Sequence, residues 1–243
     1  MFRHQGKRRT YRHNLRLAGL LSFIAGMVNI SGVLSVNTLT TNVTGHFAFF
    51  AEQVERKQYS LALTFLLYIT AFFLGSFLSS LVTELSLRKG YKRTHVGPVF
   101  CEIVILLLMG MEGDRMLQSG VSATTVALLL LFAMGLQNAL VTRVSKSVVR
   151  TTHLTGLFTD LGIELSQLLF CKRGGQWMKL VRSVNLKFAI IFSFFGGGIV
   201  GGYVYSVLNL GTLLVACGLL ALALAYDTLK LSYYRLFRAQ HRT

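Results

Sequence analysis

The chain has 243 residues, and its 25 Lys and Arg against 9 Asp and Glu give a formal net charge of +16. This charge alone would indicate a protein that binds polyanions, but 53% hydrophobic residues, a single proline and a mean hydropathy of +0.56 are too apolar for a soluble basic domain. The composition therefore excludes a water-soluble enzyme, a disordered chain and a disulfide-stapled secreted module, and we do not expect nucleic acid as a partner.

Six apolar stretches have the length of a membrane-spanning helix. They lie at residues 17–36, 61–83, 97–113, 122–142, 188–208 and 211–229. Because these stretches take up about half of the chain, the segments between them are too short for a separate soluble domain. We therefore predict one membrane domain over residues 1–243.

The Lys and Arg residues are distributed very unevenly between the connecting segments. Of the 25, 22 fall on the side that contains both termini, and only Arg56, Lys57 and Arg115 fall on the other side. Cytoplasmic segments retain positive charge, so both termini are predicted to be cytoplasmic. The basic inner segments are also expected to contact anionic lipid.

The same short motif follows the first and the fourth span. Residues 40–47 read TTNVTGHF, and residues 151–158, which begin 111 positions later, read TTHLTGLF. The spans before the two motifs share a Gly three residues before an Asn. We therefore predict two copies of one three-span unit, at about residues 1–115 and 120–243.

An odd number of spans makes the second copy enter the membrane from the opposite side. The predicted fold is thus an all-α integral membrane protein of six helices, arranged as two inverted-topology repeats of the kind found in secondary transporters. The apolar part of the first motif, residues 43–51, is too short to cross a membrane. Each motif is therefore predicted to begin a short broken or re-entrant helix, with Thr44 and Thr155 as N-caps.

The free N–H groups at two such helix starts could hold an anion or a carbonyl near the middle of the bilayer. The residues predicted to bind substrate are Asn29, Asn42, Thr44, Gly45, Asn138, His153, Thr155 and Gly156. A tight helix start at which glycine lets another helix approach is the structural alternative for each motif.

Three acidic residues, Asp160, Glu164 and Glu102, are predicted to form an ion or proton path, because ionisable groups at membrane depth are costly. Asp160 and Glu164 share one face of the second short helix with His153, and this face lies either on a water-filled path or along the cytoplasmic interface. Glu102 lies near the inner end of the third span. There it either pairs with a cytoplasmic Lys or Arg or carries a proton.

Four segments carry a family resemblance: the GxxN pattern of the first span, NVTGH at 42–46, AMGLQNA at 133–139 and RTTHLTG at 150–156. Together they resemble the YoaK-like family of bacterial inner-membrane proteins, whose function is unknown. The resemblance covers about residues 17 to 229. It implies six helices in a bacterial cytoplasmic membrane and supplies no substrate.

A small-solute transporter or channel with a midplane site is the function that the repeat favours, and the helix starts favour an anionic solute. A non-catalytic membrane scaffold remains an alternative. A membrane-embedded enzyme that uses Asp160 and Glu164 is disfavoured, because the first copy lacks the corresponding acids, and no catalytic residue is assigned.

Small residues four apart, as in Gly197-xxx-Gly201 and Gly198-xxx-Gly202, are compatible with close packing within the fold or in a homodimer. Cys101, Cys171 and Cys217 have no metal-ligand spacing, so neither a metal nor another cofactor is expected.

Overall fold

The computed structural model describes residues 11–91, 93–145, 149 and 151–240, with side chains as far as residue 226. The basic N-terminal arm up to residue 10, the side chains of the basic C-terminal tail, and Lys92, Lys146 and Arg150 lie outside the described residues. The predicted contacts of these segments with lipid therefore fall outside them as well.

Helices account for nearly all of the described chain, and no strand occurs in it. In chain order they are α1 (Tyr11–Val36), α2 (Val43–Glu55), α3 (Tyr59–Arg88), α4 (Val96–Gln118), α5 (Ala123–Ser145), α6 (Leu154–Phe170), α7 (Gly175–Leu208) and α8 (Thr212–Gln240). The prediction of an all-α fold is confirmed, and a helix begins within each of the two repeated motifs.

Five helical stretches in the described part are long and apolar enough to cross a membrane, so the chain is an apolar helical membrane protein. Four of them are α1, α3, α4 and α5, and the fifth is the 52-residue stretch Gly175–Tyr226. About 20 residues cross the hydrocarbon layer, so this stretch is far longer than one crossing. A 3₁₀ turn at Asn209–Gly211, where Asn209 has a φ of +49°, divides it into α7 and α8.

Helix α7 begins at Gly175, well before the apolar stretch predicted at 188. Its first turns contain polar and basic residues, which a search for apolar runs passes over. These turns pack against α6 through Val184 and Leu161, and Lys187 pairs with Glu164. Tertiary contact therefore extends the helix beyond its apolar part.

Helices α1 and α7 run parallel, because Gly19 lies beside Ser193 and Met27 lies beside Gly201. Their ends meet the end of α4: the Leu210 N–H, just after α7, donates to the carboxylate of Asp114 at 3.2 Å. Thus α1, α4 and α7 all point in one direction.

Helices α3 and α5 form a second parallel pair. The Ser76 hydroxyl donates to the Gly135 carbonyl at 3.1 Å, and nearer the helix ends Arg143 donates to the Ser80 hydroxyl at 2.8 Å. Since α3 leads into α4 through a short turn, and α4 leads into α5 through another, this pair points opposite to α1, α4 and α7.

Both parallel pairs cross with their backbones in contact at glycines. Gly26, Gly197, Gly75 and Gly135 each lie so close to a carbonyl oxygen of the partner helix that an added Cβ would overlap it. These oxygens belong to Phe194, Phe23, Phe132 and Phe72, respectively. Such close approach is the usual role of small residues in membrane helix packing, since apolar lipid provides little hydrophobic drive for association.

Replacement of a crossing glycine by alanine should therefore separate two backbones. We expect Gly26→Ala and Gly135→Ala to destabilise the fold by about 1–3 kcal/mol, the usual range for overpacking, measured as a lower melting temperature of the detergent-solubilised protein. Gly218→Ala on α8 is the matched control, because no described atom outside its own helix backbone lies within 4 Å of its added Cβ. Equal effects at all three positions would contradict the crossing geometry.

Candidate functional site

The chain turns back along α1 after that helix ends at Val36. The Thr38 N–H donates to the Gly32 carbonyl at 3.1 Å, and the Thr41 N–H reaches the side chain of Asn29 at 3.3 Å. Asn29 lies seven residues before the end of α1, which corresponds to about 10 Å along the axis. Helix α2 therefore begins near the level of Asn29, well short of the end of α1.

Asn29 anchors this returning segment. Its Oδ1 accepts hydrogen bonds from the Thr41 N–H and, at 2.9 Å, from the Thr41 hydroxyl. Asn29 also lies in the wall of a largely apolar groove between α1 and α7, of about 640 Å³, whose other polar side chains belong to Tyr203 and Ser206. The predicted site residue Asn29 thus has an observed structural role.

Asn42 caps the start of α2. Its Oδ1 accepts from the Gly45 N–H at 3.0 Å, as expected of an N-cap asparagine. Thr44 lies inside the first turn and is exposed, so the prediction that it caps the helix is wrong. The physical reason is that the chain leaves its extended course two residues earlier, where Asn42 supplies an equally good acceptor.

His46 packs α2 against α3. It is buried, its Nε2 lies 2.8 Å from the Leu39 carbonyl oxygen, and its ring contacts Phe65 and Tyr68. Burial lowers the pKa of His46, while the contact with the Leu39 carbonyl acts in the opposite sense. This histidine therefore serves first to hold the short helix in place.

The start of α6 repeats this arrangement with different chemistry. His153 is the N-cap residue, and its imidazole covers Gly156 so closely that an added Cβ would overlap the ring. Thr155 lies inside the first turn and is exposed, so the prediction that it caps α6 is also wrong. His153 takes the place of Asn42, but it forms no side-chain hydrogen bond to the first turn of α6.

Thr40 and Thr151, the first residues of the two motifs, are fully buried. Neither hydroxyl has a hydrogen-bond partner among the residues that the structure describes. Buried polar groups are nearly always paired, and an unpaired one costs about 1–3 kcal/mol. These two threonines are not among the site residues predicted from the sequence, although the duplicated Thr-Thr pair was a signal that pointed to them.

Asn138 differs from Asn29 in its contacts. Its Oδ1 is buried and has no partner in the described part of the chain. Thr142 donates to the backbone carbonyl of Asn138 at 2.7 Å and not to its side chain. The anchoring bond between Asn29 and Thr41 is therefore not reproduced here.

The two motifs lie at different levels of the helix bundle. The Gln137 amide donates to the Leu21 carbonyl at 3.3 Å, so the neighbouring Asn138 is roughly level with Leu21 on α1. Asn29 is eight residues further along α1, which corresponds to about 12 Å. The structure therefore does not bring Asn29 and Asn138 into one layer.

The three predicted path acids have different surroundings. Asp160 is exposed, and Glu164 accepts from Ser183 and pairs with Lys187, each at 2.7 Å. Glu102 is buried on α4, and the described residues offer it no ion pair, so the predicted Lys or Arg partner is not found among them. Glu164 is thus fixed by α7, a contact that the sequence analysis missed.

The family comparison matches residues 17–226 to a family described as a protein of unknown function, DUF1275. The match covers most of the chain, so the chain belongs to this family. Neither a curated protein nor a solved structure matches it.

The unequal roles of the two asparagines can be tested by alanine substitution. Asn29→Ala removes the acceptor of two Thr41 donors, and we expect a loss of about 1–3 kcal/mol in the free energy of unfolding in detergent. Asn138→Ala should cost less, because its Oδ1 has no partner among the described residues, and Thr41→Val should fall between the two. A larger loss from Asn138→Ala than from Asn29→Ala would show that the assigned bonds are wrong.

The buried histidines predict an acid-sensitive fold. Burial lowers the pKa of His95, just before α4, to about 4, and it lowers that of His46 as well. In the unfolded chain both titrate near 6.5, so stability is complete above that pH and declines as the pH falls from 6.5 towards 4.

The melting temperature should therefore decrease as the pH is lowered from 7.5 to 5. The slope of melting temperature against pH should be smaller in His46→Gln and in His95→Gln. Slopes that are unchanged in both variants would exclude these two groups as its source.

Proposed function

We propose that this member of the DUF1275 family is a YoaK-like bacterial inner-membrane transporter or channel that moves a small solute past the two repeated motifs. The observation that carries the proposal is the pair of buried hydroxyls of Thr40 and Thr151, which stand at equal positions of the two motifs without a partner in the described residues. A polar solute passing between helices would satisfy both groups.

An inverted repeat is supported by the glycine crossings. The contact of Gly26 with Phe194 has its counterpart in Gly135 with Phe72, and that of Gly197 with Phe23 in Gly75 with Phe132. This correspondence exchanges α1 with α5 and α7 with α3. Because the exchanged helices point in opposite directions, the relating axis would lie in the membrane plane, as in many secondary transporters.

Six crossings are supported by the division of the last helical stretch. Helix α7 packs on α1 and α8 packs on α4, with Gly113 beside Leu210 and Gly110 beside Leu214 in antiparallel order. With six crossings both termini lie on one side. The excess of Lys and Arg on that side favours the cytoplasm.

Re-entrant helices at both motifs are supported by the depth at which α2 and α6 begin. His46, in the first turn of α2, contacts Tyr68, which lies nine residues inside α3. On α6, Glu164 pairs with Lys187 at the edge of the apolar part of α7, and Leu161, nearer the start of α6, packs on Ile191 within that part. Irregular backbone at such depth is tolerated where protein or a cavity covers it.

The chemistry at the start of α2 favours an anion or a carboxylate. Asn42 already occupies the Gly45 amide, so the first two N–H groups of α2 remain available, together with the hydroxyl of Thr40. These groups are donors, and the helix start adds partial positive charge. Since Asn29 and Asn138, which lie in the helices before the two motifs, are about 12 Å apart along the helix axis, the solute would be held near one motif and then near the other.

The other function classes have weaker support. Asp160 and Glu164 do not form an acid and base pair, because Glu164 is held by Lys187 and Ser183 while Asp160 is exposed. A scaffold would use the exposed apolar face of α7 and would show no dependence on solute. A homodimer through that face remains compatible with transport.

A thermal-shift screen of the detergent-purified protein against chloride, nitrate, phosphate, acetate and neutral amides tests the proposal, since binding stabilises the folded form. We expect at least one of these probes to raise the melting temperature. In Thr40→Val and Thr151→Val the apparent affinity for that probe, taken from the dependence of the shift on its concentration, should fall at least tenfold. Thr70→Val is the matched control, because its exposed hydroxyl donates only to the Leu66 carbonyl of its own helix.

The protein in liposomes should also take up the probe that binds. A shift that survives both motif substitutions would overturn the proposed site, and the absence of any shift would favour the scaffold.

A further inference from the structure

Glu102 differs from the other acids that the structure describes. It is 1% exposed, and its Oε1 has no hydrogen-bond partner within the described ranges. The others are exposed or held by a partner: Glu52 by Arg56, Glu84 by Arg143, Glu112 by Arg115, Glu164 by Lys187 and Asp114 by the Leu210 N–H, with Glu55 and Asp160 exposed. Asp227 lies beyond the described side chains.

Ser79 on α3 lies at the level of Glu102. Gly97 on α4 lies beside Val82 on the antiparallel helix α3. Glu102 is five residues after Gly97, and Ser79 is three residues before Val82. The two residues therefore differ in height along the helix axes by only about 3 Å. Ser79 is also 1% exposed, and its hydroxyl has no partner in the described chain.

The same level continues into α5 and α1. Ser76 bonds to Gly135, so Gln137 on α5 is level with Ser79 on the parallel helix α3. The Gln137 amide nitrogen donates to the Leu21 carbonyl on α1. The Oε1 of Gln137 and the hydroxyl of Ser22, which follows Leu21 on α1, are both buried without a partner in the described residues. Thus α5 and the three helices α1, α3 and α4 that pack around it place in one layer buried oxygen atoms that have no partner among the described residues.

We infer that Glu102 is a protonation site in this layer, and that it gains and loses one proton during the working cycle. A lone carboxylate in a low-dielectric interior is strongly disfavoured, so in the observed arrangement the group holds a proton as a neutral acid. When the layer opens to water, the proton leaves and the carboxylate remains.

Few groups around Glu102 could compensate the charge of its carboxylate in place of a proton. The titratable groups nearest along the packed helices are the thiols of Cys101 on α4 and Cys217 on α8, and the latter donates to the Ile103 carbonyl. On α5, Arg143 is committed to Glu84 and Ser80, and the facing parts of α1 and α3 present Ser22 and Ser79. His95 at the start of α4 lies about 10 Å away along the helix.

In a transporter, the proton bound at Glu102 would be the coupling ion, and this role rests on the proposed function. Asn138, which precedes the second motif and whose Oδ1 has no partner in the described residues, directly follows Gln137 and lies next to the same layer. Protonation of Glu102 would therefore change the charge beside one of the two positions at which the solute is held.

Infrared spectroscopy of the purified protein in lipid tests the inference directly. We expect a carbonyl band of a protonated carboxylic acid at pH 7, and we expect its loss in Glu102→Gln. Glu112→Gln, on the same helix but exposed and paired with Arg115, should keep the band. A second measurement on the wild-type chain is labelling by a hydrophobic carbodiimide, which reacts with protonated carboxyls, and peptide mass spectrometry should locate the label at Glu102.

If the wild-type chain shows neither the band nor the label, Glu102 is not a protonation site. If both persist in Glu102→Gln, they belong to another residue, and the inference is overturned. Since neither measurement needs the solute, a proton at Glu102 can be established even if the solute screen fails, and the screen can succeed without it.

Discussion

Backbone contact between parallel helices is the interaction on which the rest of this structure depends. At Gly26, Gly75, Gly135 and Gly197 the absence of a side chain lets a helix lie directly against a carbonyl oxygen of its partner. In an apolar solvent such contacts, together with a few hydrogen bonds, replace the hydrophobic drive that assembles soluble proteins. The pairs of α1 with α7 and of α3 with α5 are the frame to which the other helices are attached.

This frame explains where the polar groups lie. The same turn of α1 that provides Gly26 for the crossing also provides Asn29, which holds the returning chain through Thr41. The corresponding turn of α5 carries Gly135 and, beyond it, Gln137 and Asn138. Tight packing and polar groups therefore occur together, because a close crossing excludes lipid and gives hydrogen-bonding side chains a protected place.

The two halves are similar in packing and different in chemistry. Asn42 caps one short helix with a hydrogen bond, while His153 covers the start of the other with its ring. Glu164 of the second short helix binds Lys187 of α7, whereas Gln53 stands at the corresponding position of the first. If the halves are inverted repeats, the proposed solute would meet a different set of groups on each side, which suits a directional transporter better than a symmetrical pore.

Much of the fold could be predicted from the sequence, because membrane helices need long apolar runs and the repeated TT-x-x-TG motif marks the two short helices. The predicted stretches lie, to within one residue, inside observed helices, and five helical stretches of the described chain are long and apolar enough to cross a membrane. Polar extensions of the helices were missed, and that of α7 depends on its contact with α6. The cap residues were assigned wrongly, because Thr44 and Thr155 fit the pattern of a helix start as well as Asn42 and His153 do. Only the course of the backbone distinguishes them.

The sequence by itself determined the class of the protein, since apolar length and charge asymmetry reflect the solvent around each segment and are local properties of the chain. The tertiary structure alone decided which helices cross at glycines, that Asn29 and Asn138 lie about 12 Å apart along the axis, and that Glu102 is buried without an ion pair in the described chain. These features depend on how distant segments rotate and slide against each other. A one-dimensional pattern gives the face of each helix but not the partner that this face meets.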